Sequence, residues 1–262
     1  MRAPGTCRDP VFSACWPERG ENSVRMTDSA SDQEKRLSRT DRGRSAIRIV
    51  GVIASSADLT RALRLRCPPD FFELRLDRLS HSSGEIRRAL PRLRAPLILT
   101  ARHPAEGGKG PLSATARRRL LEGWLDQAAL VDLELRCVQQ MQPLLEQIRR
   151  GQIGLILSHH DLRSTPNPEK LLLLTQQATE FDPTYIKIAT RTDTPAQLAR
   201  LINFFETARH SFPLAAMGIG HLGRESRRVL NRLGSALTYV SLGQTIVPGQ
   251  LSLSELRRAR RA

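Results

Sequence analysis

From Ala46 onward the chain alternates between short apolar runs of strand length and longer amphipathic runs of helix length. The apolar runs are Ala46–Ala54, Phe71–Leu76, Pro96–Ala101, Leu130–Leu135, Ile153–Ser158, Thr184–Thr190, Pro213–Gly218 and Ala236–Leu242. Helical stretches fall near 57–65, 83–93, 113–127, 138–149, 168–179, 195–207 and 224–233, with a short one from Ser252. The apolar runs have no solvated face, which is how strands of a parallel sheet covered on both sides read. Eight strand–helix units of roughly 25 residues predict an α/β fold, a closed (β/α)8 TIM barrel. An open doubly wound sheet would call for a Gly-rich phosphate turn after its first strand. The chain there reads Ala54-Ser-Ser-Ala57, with no such turn.

The flanks differ in kind. Residues 1–45 lack apolar periodicity, and Thr27 to Arg44 is nearly all polar or charged, so a disordered basic N-terminal extension is expected. With Met26 as the start, residues 1–25 would not belong to the protein at all. The barrel is expected over 46–256, followed by a basic tail, 257–262. The net charge is +15, but residues 1–48 carry ten basic and seven acidic side chains and the rest is dispersed. There is no basic run interleaved with aromatics, so no nucleic-acid partner is expected; local arginines fit an anionic small molecule better. No apolar run approaches the roughly 20 residues of a membrane span. The four cysteines, Cys7, Cys15, Cys67 and Cys137, show no metal-ligand spacing and are read as free thiols in a reducing, cytoplasmic setting.

A barrel of this kind carries its chemistry at the C-terminal ends of its strands. Those ends bear Glu73, Arg75 and Asp77, then Arg102, Asp132 and Glu134, then His159 and His160, then Lys187. Arg227 follows strand seven and Gln250 follows strand eight. Taken singly, each has a plain structural reading: Glu73 and Arg75 as an ion pair in the barrel mouth, Glu134 as the partner of an interior arginine. Lys187 is harder to absorb. The chain has four lysines against 37 arginines, and Lys187 alone sits inside an apolar run, Tyr185-Ile-Lys-Ile-Ala-Thr190. A buried amine is costly unless paired or neutral. Lysine rather than arginine there points to an amine that loses its proton and attacks a carbonyl.

Imine chemistry needs a base for the carbon beside the imine, a carboxylate to orient that base, and a clamp for an anionic substrate. The histidine pair, Glu106 and the arginines offer these. An imine acidifies the neighbouring C–H, so a hydroxyl one carbon further on can be eliminated. A metal reaction would want three or more converging ligands, and His159 and His160 point opposite ways on a strand, so they make a poor ligand pair.

Seven motifs, in order, carry a resemblance: Glu73-Leu-Arg75-Leu-Asp77, Thr100-Ala-Arg102-His-Pro-Ala-Glu106-Gly-Gly108, Ser158-His-His160-Asp161, Ile186-Lys187-Ile-Ala189, Met217-Gly218, Gly223-Arg-Glu-Ser-Arg227 and Pro248-Gly-Gln250. Together they resemble type I 3-dehydroquinate dehydratase over about residues 46–256. The resemblance implies a cofactor-free hydro-lyase of the shikimate pathway, converting 3-dehydroquinate to 3-dehydroshikimate and water, in a cytoplasmic homodimer. It places the Schiff-base lysine on Lys187, the proton-shuttling histidine on His160 rather than His159, and the orienting glutamate on Glu106. Substrate contacts fall on Glu73, Arg75, Arg102, Arg227 and Gln250.

Two positions depart from the family pattern. Ile246 stands where the family carries Ser or Thr in a closing loop, with Thr245 beside it, and Leu162 stands where an aromatic is usual. Two other readings stay open. An aldolase-type Schiff-base barrel would want phosphate-binding loops after strands seven and eight, which Gly218-Ile-Gly220 supplies only weakly. A non-catalytic relative binding a shikimate-pathway ligand would have no need of Lys187, His160 and Glu106.

Overall fold

The computed structural model describes residues 47–79, 83–208 and 213–261. The expected disordered extension over 1–45 lies outside them. Eight parallel strands form the centre: β1 Arg48–Ile53, β2 Phe71–Arg75, β3 Leu97–Thr100, β4 Ala128–Glu134, β5 Gly154–Asp161, β6 Tyr185–Arg191, β7 Leu214–Ile219 and β8 Leu237–Ser241. The hydrogen-bonded order runs β7-β6-β5-β4-β3-β2-β1-β8. At the seam between β7 and β8, Ala236 N donates to Leu214 O at 2.9 Å and Ala216 N donates to Ser235 Oγ at 3.0 Å. Higher on the seam, Arg227 Nη1 reaches Tyr239 O at 3.3 Å. The architecture is the (β/α)8 barrel that the alternation of the sequence predicts.

Strand parity divides the core in two. Ile186, Ile188, Leu155, Leu157, Leu74 and Leu133 face outward and pack under the helices. Val50, Val52, Ile98, Leu130, Ile156, Met217 and Tyr239 fill the barrel interior. Successive side chains alternate faces, so the outward Ile186 and Ile188 turn Lys187 inward. On β5 the outward Leu155 and Leu157 turn Ser158 and His160 inward and His159 outward.

Helix starts follow local capping chemistry. Ser55 accepts from Asp58 N, Asn167 accepts from Lys170 N, and Thr194 forms a capping box with Gln197. Prolines shift two expected boundaries. Pro91 ends one helix in a 3-10 turn, Leu90–Arg92, and Pro143 starts the helix Gln142–Arg150 only after a 3-10 stretch, Leu135–Met141. The last helix, Leu253–Arg261, takes in residues 257–261, which the sequence reading set apart as a basic tail. Cys137 is a free, buried thiol. Among the described residues no helix is long and apolar enough to cross a membrane.

Candidate active site

The C-terminal mouth of the barrel opens into a cavity. Glu73, Arg75, Arg102, Glu106, His160, Lys187, Arg227 and Gln250 all line it. These are the eight positions to which the resemblance assigns catalysis or substrate contact. His159 does not line it, because parity turns it to the outer face.

At the floor lies a buried ionic cluster. Lys187 Nζ donates to Asp132 Oδ2 at 2.9 Å and lies 3.9 Å from Glu73 Oε1. Arg102 holds the same aspartate by two bonds, Nη1 to Oδ1 at 2.9 Å and Nη2 to Oδ2 at 2.8 Å. Its Nη1 also reaches Glu134 Oε1 at 2.9 Å and Ser158 Oγ at 2.7 Å. Thr100 Oγ1 donates to Glu73 Oε1 at 2.8 Å. Arg117, on the outer helix Ala114–Glu122, reaches inward to pair with Glu134 and donates from Nε to Ala101 O at 2.7 Å. Three carboxylates (Glu73, Asp132, Glu134) thus meet three cations (Arg102, Arg117, Lys187). Buried charges persist when they are matched in this way.

The cluster decides the protonation of its members. Burial pushes the Asp132 carboxyl up, but Arg102 and Lys187 outweigh it and hold it well below the usual range. Burial lowers the Lys187 ammonium and Arg102 lowers it further, while Asp132 and Glu73 resist, and the net shift is downward. An amine lowered by burial keeps more of its reactive neutral form near neutral pH.

Beside the amine stands a histidine–carboxylate pair. Glu106 Oε2 accepts from the backbone N–H of His160 at 3.0 Å and lies 2.8 Å from His160 Nδ1. Burial, then the charges of Arg102 and Lys187, hold the imidazole well below its ordinary pKa. His160 is therefore neutral in the working range, with Nδ1–H donated to the carboxylate and Nε2 free to accept a proton. Burial raises Glu106 to about 7 against the pull of Arg102.

The remaining wall is built for an anion. Arg227 is 4% exposed, and burial alone lowers it to about 10. Among the described residues it pairs with no carboxylate, and its Nε has no hydrogen-bond partner. Gln250 Oε1 beside it is likewise buried and unpartnered. An uncompensated buried guanidinium favours a bound anion.

Not every expected contact forms. The Glu73–Arg75 ion pair is absent; Arg75 instead grips Asp77 through Nε at 3.0 Å and Nη2 at 2.9 Å. Glu134 does have the arginine partners its plain reading asked for, Arg102 and Arg117. Ile246 and Val247 line the cavity, whereas Thr245 lines a neighbouring hollow with Ser55, Asp58 and Arg78. The closing loop therefore presents an apolar wall in this conformation. Tyr239 was missed in the sequence, where it reads as one more apolar strand residue. Arg117 was missed too, although its place four residues before Leu121 on the helix's apolar face was a usable signal. Among the described residues no group of three His, Cys, Asp or Glu is placed to hold a metal ion.

Comparison with known proteins gives the family directly. The family model for type I 3-dehydroquinase matches residues 46–262. The chain belongs to the type I 3-dehydroquinase family. A 3-dehydroquinate dehydratase from Thermococcus gammatolerans is 32% identical over 190 residues, 72% of this chain and 85% of that protein. One from Klebsiella pneumoniae is 30% identical over 183 residues, 66% of this chain and 71% of that protein. The crystal structure of the 3-dehydroquinate dehydratase from Geobacillus kaustophilus superposes with a TM-score of 0.72 at 26% identity, covering 81% of this chain and 89% of that one. As a type I 3-dehydroquinase the chain is a hydro-lyase of the shikimate pathway, dehydrating 3-dehydroquinate through a lysine Schiff base.

Proposed function

We propose that Lys187 is the amine that forms the Schiff base, that His160 moves the protons, and that Arg227 and Gln250 hold the substrate carboxylate. One observation carries this reading: a buried amine, a neutral histidine oriented by a carboxylate, and an uncompensated guanidinium face one cavity.

The steps follow from the geometry. Arg227 binds the carboxylate and Gln250 adds a hydrogen bond, so the ketone is set over Lys187. The neutral amine attacks the carbonyl carbon, and loss of water leaves a protonated imine. The imine withdraws electrons, and His160 Nε2 removes a proton from the adjacent carbon. The electron pair returns toward the imine nitrogen as an enamine, then expels the hydroxyl one carbon away. The imidazolium gives that hydroxyl its proton, so a second water leaves. Hydrolysis of the conjugated imine consumes one water and frees Lys187, for a net loss of one water. Glu106 keeps His160 in one tautomer, and Arg102 orients Asp132 beside the nitrogen. Glu73 and Arg75 face the substrate's hydroxylated edge. No other cofactor is needed for these steps. The homodimer and the cytoplasmic setting implied by the resemblance belong to the same proposal, and light scattering measures the first.

Borohydride reduction in the presence of 3-dehydroquinate tests the site. A stable adduct mapped by mass spectrometry to Lys187 is the expected result. Wild-type protein that neither dehydrates the substrate nor traps at Lys187 would sink the reading. His160→Ala should still trap the imine while losing turnover by about a hundredfold or more. His159→Ala should remain active, and a dead His159→Ala variant would move the shuttle to that residue.

A further inference from the structure

Lys187 Nζ has two unlike neighbours. On one side are the carboxylates Asp132 and Glu73. On the other is the ring of Tyr239 on β8, whose centroid lies 4.0 Å from Nζ. The remaining charged or titratable groups around it are Arg102 after β3 and His160 on β5. A cation over an aromatic face at this distance is attracted by the ring quadrupole, most strongly where water is excluded. Lys187 and Tyr239 are both 4% exposed.

The consequence concerns what happens to Nζ during the reaction. The ammonium has three N–H donors, and the protonated imine keeps one. Imine formation therefore weakens the amine's hydrogen bonding to the carboxylate side. A ring face needs no donor; it responds to the charge itself. The pairing of three carboxylates with three cations is also preserved when ammonium becomes iminium, because both carry one positive charge. The attraction of the ring thus carries over into the intermediate without depending on the lost N–H donors.

The hydroxyl of the same residue does not share the task. Tyr239 Oη is buried and has no hydrogen-bond partner among the described residues. Burial, reinforced by Glu73 and Asp132, pushes its pKa well up, so it stays protonated and the ring stays neutral.

We propose that Tyr239 is a further residue of the reaction, its ring face serving as the platform that stabilises the cationic imine on Lys187. This rests on Lys187 being the imine-forming amine, which mapping of the wild-type adduct decides separately. The plain alternative is a core residue packed among Val50, Ile98, Met217 and Leu237.

The test keeps shape constant and changes the ring's electrons. Tyr239→Phe is the reference for a series at this position, since it keeps the ring face and removes only a hydroxyl without a hydrogen-bond partner among the described residues. Mono-, di- and trifluorophenylalanine are then introduced at position 239 by nonsense suppression. Each fluorine drains the ring face with little change of volume. The expected result is a stepwise fall in kcat and in trapped imine, about tenfold or more across the series, with KM changing by less than about threefold. A flat series reduces Tyr239 to packing and overturns the inference. An inactive Tyr239→Phe overturns it too, by making the hydroxyl the working group. Absence of a wild-type adduct on Lys187 refutes the site reading instead, before the series is begun.

Discussion

His160 makes two contacts with a single atom of Glu106: its backbone N–H lies 3.0 Å and its ring Nδ1 lies 2.8 Å from Oε2. One carboxylate oxygen thereby fixes both the end of β5 and the tautomer of the imidazole on it. The arrangement works only while Glu106 is ionised. Burial raises Glu106 to about 7, so it titrates in the working range, while His160 is held well below and does not. Protonation removes the acceptor for Nδ1–H. Turnover is therefore expected to fall as pH drops from about 8 to 6, following Glu106 rather than the imidazole. Glu106→Gln should lose about tenfold or more at pH 8 and flatten this limb. A variant with the wild-type profile would assign the limb to another group.

The same residue sets a stability prediction of opposite sign. A carboxyl whose folded pKa is raised favours the folded state only when protonated. Its ionisation costs nothing below the unfolded value, 4.5, and the cost grows until pH passes the folded value, about 7. That difference corresponds to about 3 kcal/mol above pH 7. Glu106→Gln should melt within a degree or two of wild type at pH 4.5 and several degrees higher at pH 8. Equal melting temperatures at pH 8 would show that the carboxylate is not held at a cost.

The barrel was legible because strand parity and helix periodicity are local signals, and eight repeats of both leave few alternatives. The strand-end residues were legible for the same reason, since a barrel puts all such ends on one rim. His160 against His159 came from the resemblance alone, because adjacent side chains differ only in parity, and parity depends on where β5 begins. Glu134 apart, the partners of the charges were not legible. Arg75 takes Asp77, in the helical turn that directly follows β2, rather than Glu73, and Lys187 on β6 takes Asp132 on β4 through the stagger between strands. Tyr239 illustrates the limit: its strand reads Ala-Leu-Thr-Tyr-Val-Ser-Leu, and only closure of the barrel brings β8 opposite the amine on β6.

Arg117 links the outer layer to the floor of the site. It is fully buried, pairs with Glu134, and Glu134 in turn holds Arg102 Nη1 at 2.9 Å and His103 N at 2.9 Å. Arg117→Met leaves the cluster one cation short and Glu134 partly unpaired, at a cost of about 3 kcal/mol. Urea unfolding measures it. Adding Glu134→Gln removes the stranded charge, so the double variant should regain part of that loss, a coupling of about 1 kcal/mol or more. Strictly additive effects would show that the two side chains do not act as a pair.

Gln250 reaches the cavity because the chain before it turns through a glycine. Gly249 has φ +85, a conformation that L side chains rarely adopt, and a Cβ there would lie 2.6 Å from Gly223 Cα and 2.8 Å from Gly220 O. Both obstacles are backbone, at the start of the helix that carries Arg227. Gly249→Ala should therefore displace the Pro248-Gly-Gln250 segment as well as strain it. The expected cost is about 1–3 kcal/mol of stability, together with a rise in KM of about tenfold as the hydrogen bond from Gln250 is lost. Gly234 supplies the control. It too has a left-handed φ, +99, but nothing lies within 4 Å of a Cβ placed there. Gly234→Ala should lower the melting temperature by a similar strain and leave KM unchanged. If Gly249→Ala also leaves KM unchanged, the close glycine contact does not govern where Gln250 stands.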